Sequence, residues 1–374
     1  MAVISRGLEG IIAAETRIGD VRGDVGQLIY CGYDINELAG KVSYEEVVYL
    51  LWHNRLPTQH ELHDLTTALC AERELPRGVI EWITKAPKEA APIDIMRTAV
   101  SMLGCYGTMR HDLDMPKVNA MAIKLVSQIG IIAAYFHRAR NGQELPPIRK
   151  DLSEAAHFLW LMTGKEPSPE AVKTLDVAYV LHAEHGFNAS TFTARVVAST
   201  LSDMYSAISA AIGALKGALH GGANEGVIHM LQEIGSLDKV DAWLNDALAQ
   251  KKKIMGIGHR VYKVLDPRAP HLKAMAVKLS EELGDPKWIQ MSERIATVMK
   301  ERKGLNANVD FYSATVYYSL GIPTDLFTPI FAISRMSGWT AHVLEQLSDN
   351  RLFRPLSEYN GAPAGKKVVP LAER

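Results

Sequence analysis

The stretch SYEEVVYLL (43–51) opens on Ser43, carries Glu46 three residues later, and continues into Val47, Val48, Leu50 and Leu51. Serine and glutamate at that spacing can satisfy each other's free backbone amides, so the stretch predicts a helix start. Toward the C-terminus the same helical character recurs over about 58–72, 91–105, 116–140, 151–163, 168–185, 188–201 and 203–217. It continues over about 222–234, 238–251, 268–283, 286–302, 308–319 and 327–347, with Pro, Gly or Asn as punctuation. Toward the N-terminus, residues 7–33 mix Gly, Thr and β-branched residues around turn-like Gly19-Asp20 and Gly23-Asp24, which predicts short extended pieces or a hairpin. Strands do not alternate with helices as a parallel sheet requires, so the fold class is all-α with a short N-terminal β piece.

At 374 residues the chain exceeds the size at which one hydrophobic core stops growing, so two domains, or a large domain with an inserted smaller one, are expected. Hydrophobic residues at 47% and charged residues at 22% suit a soluble globular protein. A formal net charge of -1 gives no global field for nucleic acid or an anionic membrane, so any anion must be held by a local cluster. Cys31, Cys70 and Cys105 lack C-x-x-C pairing, which supports neither a disulfide framework nor a zinc ribbon and fits a reducing compartment. The start MAVISRGLEG has no signal core or amphipathic presequence, and apolar segments such as 129–136 fall short of the roughly 20 residues that span a bilayer. A cytoplasmic location is expected. The Ala, Gly and Ser-rich run SAISAAIGALKG (206–217) permits close helix approach, either at a subunit or domain contact or inside the core.

Three residues could carry chemistry. His220 precedes a helix that Asn224 or a neighbouring glycine would cap; a positive helix end disfavours imidazolium, and a neutral ring can hydrogen-bond a developing enolate. His259 lies in GIGHRVYKVLDPR (256–268), where flanking glycines let a ligand approach and Arg260, Lys263 and Arg268 suit phosphate or carboxylate. Lacking a third glycine and a preceding strand, this is no dinucleotide fingerprint. Asp310, in NANVDFYSA (306–314), sits among apolar residues at a helix opening, where partial desolvation would raise its proton affinity toward that of a general base. Each also has a plainer reading, as a structural histidine or a helix-dipole partner.

His182 and His185 continue the apolar stripe of Leu175 and Ala178, so at least one should point inward; their spacing fits neither zincin nor inverzincin metal sites. Arg335, in FAISRMSGW (331–339), is a cation in an apolar stretch and wants an anion. Arg268, Arg335 and Arg354 together could grip a small dicarboxylate.

Four ordered motifs, HAEHGFNASTFTAR (182–195), GALHGGANE (217–225), GHRVYKVLDPR (258–268) and NVDFYSA (308–314), resemble the citrate synthase family, and the likeness runs from GLEG (7–10) to Arg354-Pro355. The resemblance implies a nearly all-α homodimer. Residues 1–221 and 322–374 would form a large dimer-forming domain, and 222–321 a small domain closing over the active site. His220 would stabilise the enol of the acyl-CoA, Asp310 would remove its α-proton, and His259 would protonate the oxaloacetate carbonyl. His185, Arg268 and Arg335 match the oxaloacetate set, and Arg354 the arginine lent by the other subunit. Ile254, Gly256, Gly258 and Lys263 match the CoA site. No metal or other cofactor is implied; acetyl-CoA and oxaloacetate are the substrates.

Cys31 stands where family members commonly carry Arg, Ile257 where an aromatic residue is common, and Ala218 where Pro is common. These departures touch packing and acyl-pocket shape, not the reacting groups. The likeness to short bacterial members implies a dimer without NADH regulation. The nearest alternative is 2-methylcitrate synthase, which uses propionyl-CoA and differs by room for one methyl group. From other classes come a metalloprotein with His182, His185 and His220 as ligands, and a non-catalytic CoA-binding scaffold.

Overall fold

Residues 43–51 lie in the helix Tyr44–His53, and Ser43 and Glu46 form the expected reciprocal cap. The same device recurs at Thr58 and Glu61, which start the helix Gln59–Ala71. The structure, a computed structural model, describes residues 4–107 and 113–374. Each helical run expected from the sequence is present, with bounds shifted by a few residues. Among the described residues two further α-helices, Ile35–Leu38 and Arg77–Lys85, had no counterpart among the runs expected from the sequence.

The N-terminal piece is a three-stranded antiparallel sheet in the order β1 (Gly19–Arg22), β2 (Gln27–Tyr30), β3 (Tyr33–Asp34). Gly19 pairs with Tyr30 and Arg22 with Gln27. Gly19-Asp20, expected to turn, therefore opens a strand, and the turn falls at 23–26, where Gly26 has φ +67°. This turn meets the loop after His259: Lys263 N donates to Gly23 O at 3.0 Å. A Cβ on Gly23 would lie 2.3 Å from Val261 O, so only glycine allows the contact.

The helix Phe327–Ser348 is buried along most of its length and packs against Tyr44–His53, Met115–Arg140, Pro169–His182 and Ala189–Ser199. Met115–Arg140, at 26 residues, is by length and composition able to cross a membrane, which corrects the expectation that no apolar segment is long enough. It is mostly buried against neighbouring helices. Met204–Leu215, from the small-residue run, packs on Ala189–Ser199 and Pro92–Tyr106 of the same chain, with Tyr205 close against Gly104. The five helices Ala223–Ile234, Val240–Ala249, Ala269–Leu283, Lys287–Lys303 and Val309–Ser319 pack largely on one another. Their grouping brings the loop 254–268 beside the opening of Val309–Ser319.

Candidate active site

The helix Pro169–His182 ends at a fully buried His182, and the chain turns through 183–188 before Asn188 caps Ala189–Ser199. His182 Nδ1 lies 2.8 Å from Ala178 O; a carbonyl only accepts, so Nδ1 carries the proton. Burial pushes this ring down to about 3, so it is neutral. Its own carbonyl accepts from Arg335 Nε at 2.6 Å. Arg335 is 1% exposed, its guanidinium lies 4.8 Å from the Phe331 ring centre, and its Nη1 has no partner among the described residues. Burial draws its pKa down to about 10 against the opposing charge of Glu184. The expectation that this cation needs an anion has its physical counterpart in that unpartnered nitrogen.

His185 Nε2 lies 3.2 Å from Tyr262 Oη, and its ring centre 5.6 Å from that of His259. Burial and then the charges of Arg268 and Arg335 hold it well below its usual range. His185 and His259 thus share one pocket wall with Tyr262.

The loop that carries His259 is stitched to the start of Val309–Ser319. Gly258 N donates to Asn306 O at 2.8 Å and Asn308 N to Gly256 O at 2.9 Å. Asn308 Nδ2 donates to Gly258 O at 2.8 Å. Gly256 (φ +72°) and Gly258 (φ +81°) adopt the left-handed backbone this path requires. His259 Nδ1 accepts from the amides of Val261 and Tyr262, both at 3.0 Å. The neutral ring therefore bears its proton on Nε2, free to be given away. Burial, then Arg268, lowers it to about 4.

Asp310 occupies the first turn of Val309–Ser319, whose cap Asn308 accepts from Asp310 N at 3.0 Å. Its Oδ1 is sealed from solvent and has no partner among the described residues. Burial raises the carboxyl to about 6, with Arg268 working against the shift. The desolvated acid expected from the sequence is in place. Arg268 is not free to act alone: Asp266 accepts from its Nε at 2.9 Å and its Nη2 at 2.8 Å, and also from Val309 N at 3.0 Å.

His220 is neutral for a different reason from the one the sequence suggested. Burial and then the Arg335 charge lower it to about 4. The following helix, Ala223–Ile234, is preceded by Gly222; Asn224 lies inside it, buried, and accepts from Glu225 N. His220 Nε2 receives Ser190 N–H at 3.3 Å and lies 2.8 Å from Ser190 Oγ. Since an amide only donates, Nε2 holds the lone pair and the ring proton sits on Nδ1. Trp339 Nε1 donates to Ser190 Oγ at 3.1 Å, which holds the serine in place.

Arg335 bears electrostatically on His185, His220 and Asp310, and Arg268 on His185, His259 and Asp310. His185, His220, His259, Asp310, Arg268 and Arg335 are thus gathered at one place. Ile254 is buried at the base of the 254–258 loop, while Lys263 is exposed with its Nζ 3.4 Å from Arg260 O. Arg354 is exposed in the segment after the last long helix. Among the described residues no group of His, Cys, Asp and Glu could hold a metal ion. Ser190, Trp339, Asp266 and Tyr262 were not singled out from the sequence. Only Asp266, two residues before Arg268, gave a local signal.

A buried carboxyl of raised pKa, two neutral imidazoles with one fixed donor each, and an arginine whose Nη1 has no partner among the described residues can remove a weakly acidic C–H proton and polarise two carbonyl oxygens. The family model described as "Citrate synthase, C-terminal domain" matches residues 7–356. "Citrate synthase 2" of Bacillus subtilis is 48% identical, with 99% of each chain covered. "2-methylcitrate synthase 2" of Corynebacterium glutamicum is 42% identical, covering 99% of this chain and 98% of its own. The citrate synthase of the thermophilic archaeon Thermoplasma acidophilum, solved as a ternary complex with carboxymethyl coenzyme A and oxaloacetate, superposes with a TM-score of 0.92 at 34% identity over 100% of both chains.

Proposed function

The chain belongs to the citrate synthase family, and from that premise we propose how its pocket condenses acetyl-CoA with oxaloacetate and water to give citrate and CoA. Asp310 takes an α-proton from the acetyl group. His220, through Nδ1–H, hydrogen-bonds the thioester oxygen as the enol forms, so charge need not build up unaided. The enol carbon attacks the oxaloacetate carbonyl, and His259 gives its Nε2 proton to the oxygen that becomes the hydroxyl. Water then cleaves the thioester of the condensed product, one of its protons restoring Nε2–H on His259, and CoA leaves as the thiol with the proton that Asp310 took.

Arg335, Arg268 and His185 hold oxaloacetate so that its carbonyl faces the enol; this positioning is where most of the entropic cost is met. Arg354 fits a role in the site of a second subunit, since it lies exposed in the segment after the last long helix, and the working form is then a homodimer. Ile254, Gly256, Gly258 and Lys263 offer backbone and a cation to CoA. Residues 222–321 act as a small domain that closes on the rest, 1–221 and 322–374, and excludes water. The place of action is the cytoplasm, and the reaction runs without a metal.

The observation that carries this reading is the sealed Asp310 Oδ1, without a partner among the described residues, on a carboxyl raised to about 6. Thiol release on mixing enzyme, oxaloacetate and acetyl-CoA, compared with propionyl-CoA, tests it. We expect kcat/KM to favour acetyl-CoA; a propionyl preference would assign 2-methylcitrate formation instead, and no thiol release would refute condensation.

A further inference from the structure

Glu184 has no step in the chemistry above, yet it is a fully buried carboxylate beside the pocket. Its Oε1 accepts from His342 Nε2 at 3.0 Å and from the amide of Gly186. Two glycines make room for it: a Cβ on Gly19 would lie 2.8 Å from Oε1, and one on Gly338 2.7 Å from Oε2. Glu184 is also the anion that most offsets the burial of Arg335.

His342 is fully buried on the same helix as Arg335, two turns further on. Its Nδ1 lies 3.1 Å from Arg195 Nη1. Guanidinium nitrogens only donate, so Nδ1 accepts, and the neutral ring presents Nε2–H to Glu184. Arg195 is fixed in turn by Glu345 at 2.6 Å and Gln346 at 3.0 Å, and Glu345 accepts from Arg17 N at 2.8 Å. Arg335, Glu184, His342, Arg195 and Glu345 thus form a row in which charge alternates around one neutral ring.

We propose that His342 is a positioning residue for the oxaloacetate pocket: it pins Glu184 where that carboxylate counterbalances Arg335 and anchors the 184–186 backbone from which His185 projects. The inference rests on the assignment of Arg335 and His185 to oxaloacetate. A hydrogen bond to a buried charge, once lost, leaves the charge free to move or to seek another partner. Here the cation whose burial Glu184 most offsets is Arg335, and a freed Glu184 would draw on it in competition with the substrate carboxylate.

The test compares two amides on the full-length enzyme. His342→Gln places an N–H near the Nε2 position and can still reach Glu184; His342→Asn reaches only toward Arg195. We expect His342→Asn to raise the KM for oxaloacetate by roughly tenfold to a hundredfold while the acetyl-CoA KM holds, and His342→Gln to restore most of the loss. An unchanged oxaloacetate KM in His342→Asn, a parallel rise in both KM values, or failure of Gln to restore would each overturn it. Arg335→Gln serves as the control: if it leaves oxaloacetate KM untouched, the assignment of the pocket fails, whereas a rise there with none in His342→Asn sinks only the positioning role. Should His342→Asn not fold, nitrogen NMR of the wild-type histidines decides. An Nε2–H tautomer at His342 is expected, and an Nδ1–H tautomer refutes the relay.

Discussion

Asp310 Oδ1 and Arg335 Nη1 are both closed off from solvent without a hydrogen-bond partner among the described residues, and each charge lowers the cost of the other. An orphaned acceptor and an orphaned donor in one pocket are expensive to keep. A ligand that brings a carboxylate to the arginine and a weakly acidic C–H to the acid would use both.

Removing the acid's charge separates binding from turnover. Asp310→Asn keeps the shape and the hydrogen bond that its backbone N–H donates to Asn308 Oδ1 but cannot take a proton, and the arginines remain. The expected result is a loss in kcat of roughly 10²–10⁴-fold, with oxaloacetate binding, followed by calorimetry, close to wild type. An Asp310→Asn enzyme of near-normal turnover would remove Asp310 from the role of base.

The pH profile follows from the same group. A carboxyl raised to about 6 is ionised above that value and progressively lost as a base below it. With His220 and His259 both lowered to about 4, neither imidazole titrates between pH 5 and 8. At saturating oxaloacetate, kcat/KM for acetyl-CoA should therefore be level above about pH 7 and fall with a single ionisation near 6. A profile flat down to pH 5, or one needing a second ionisation near 7, would contradict the assignment.

Two glycines two positions apart should respond differently to the same change. At Gly258 (φ +81°) a methyl group meets only the far end of Leu305 at 3.9 Å, so Gly258→Ala carries the backbone strain alone, about 1–2 kcal/mol. At Gly256 (φ +72°) it would also lie 2.9 Å from Phe311 Cα and 2.7 Å from Val227 Cγ2. Gly256→Ala must push the helix that carries Asp310, so it should cost more stability and more turnover. Urea melts and kcat of the two variants check the order.

Much of this was legible in the chain because its signals are local. Ser43 with Glu46 is a start that any four-residue window reveals, and an acid among apolar residues after Asn308 is visible as desolvated before any fold is known. The missed helix Arg77–Lys85 is short, preceded by Pro76 and without a side-chain cap, so nothing in its flank announced it. The partners of the site histidines were illegible for another reason. Ser190 meets His220 across 30 residues and Trp339 meets Ser190 across 149, and no periodicity links positions that far apart. The neutrality of His220 was anticipated for a helix end, but burial and Arg335 supply it.

The contact between the turn of the β1–β2 hairpin and the loop after His259 reaches beyond packing. The hairpin carries none of the residues proposed to react, yet Gly23 and Gly26 abut Val261, Val264 and Leu265 within six residues of the His259 ring. Anyone transplanting this pocket onto another helical scaffold would have to carry these thirty or so N-terminal residues along with it. A graft of the helices alone would bring the chemical groups and leave behind the stop against which their loop is seated.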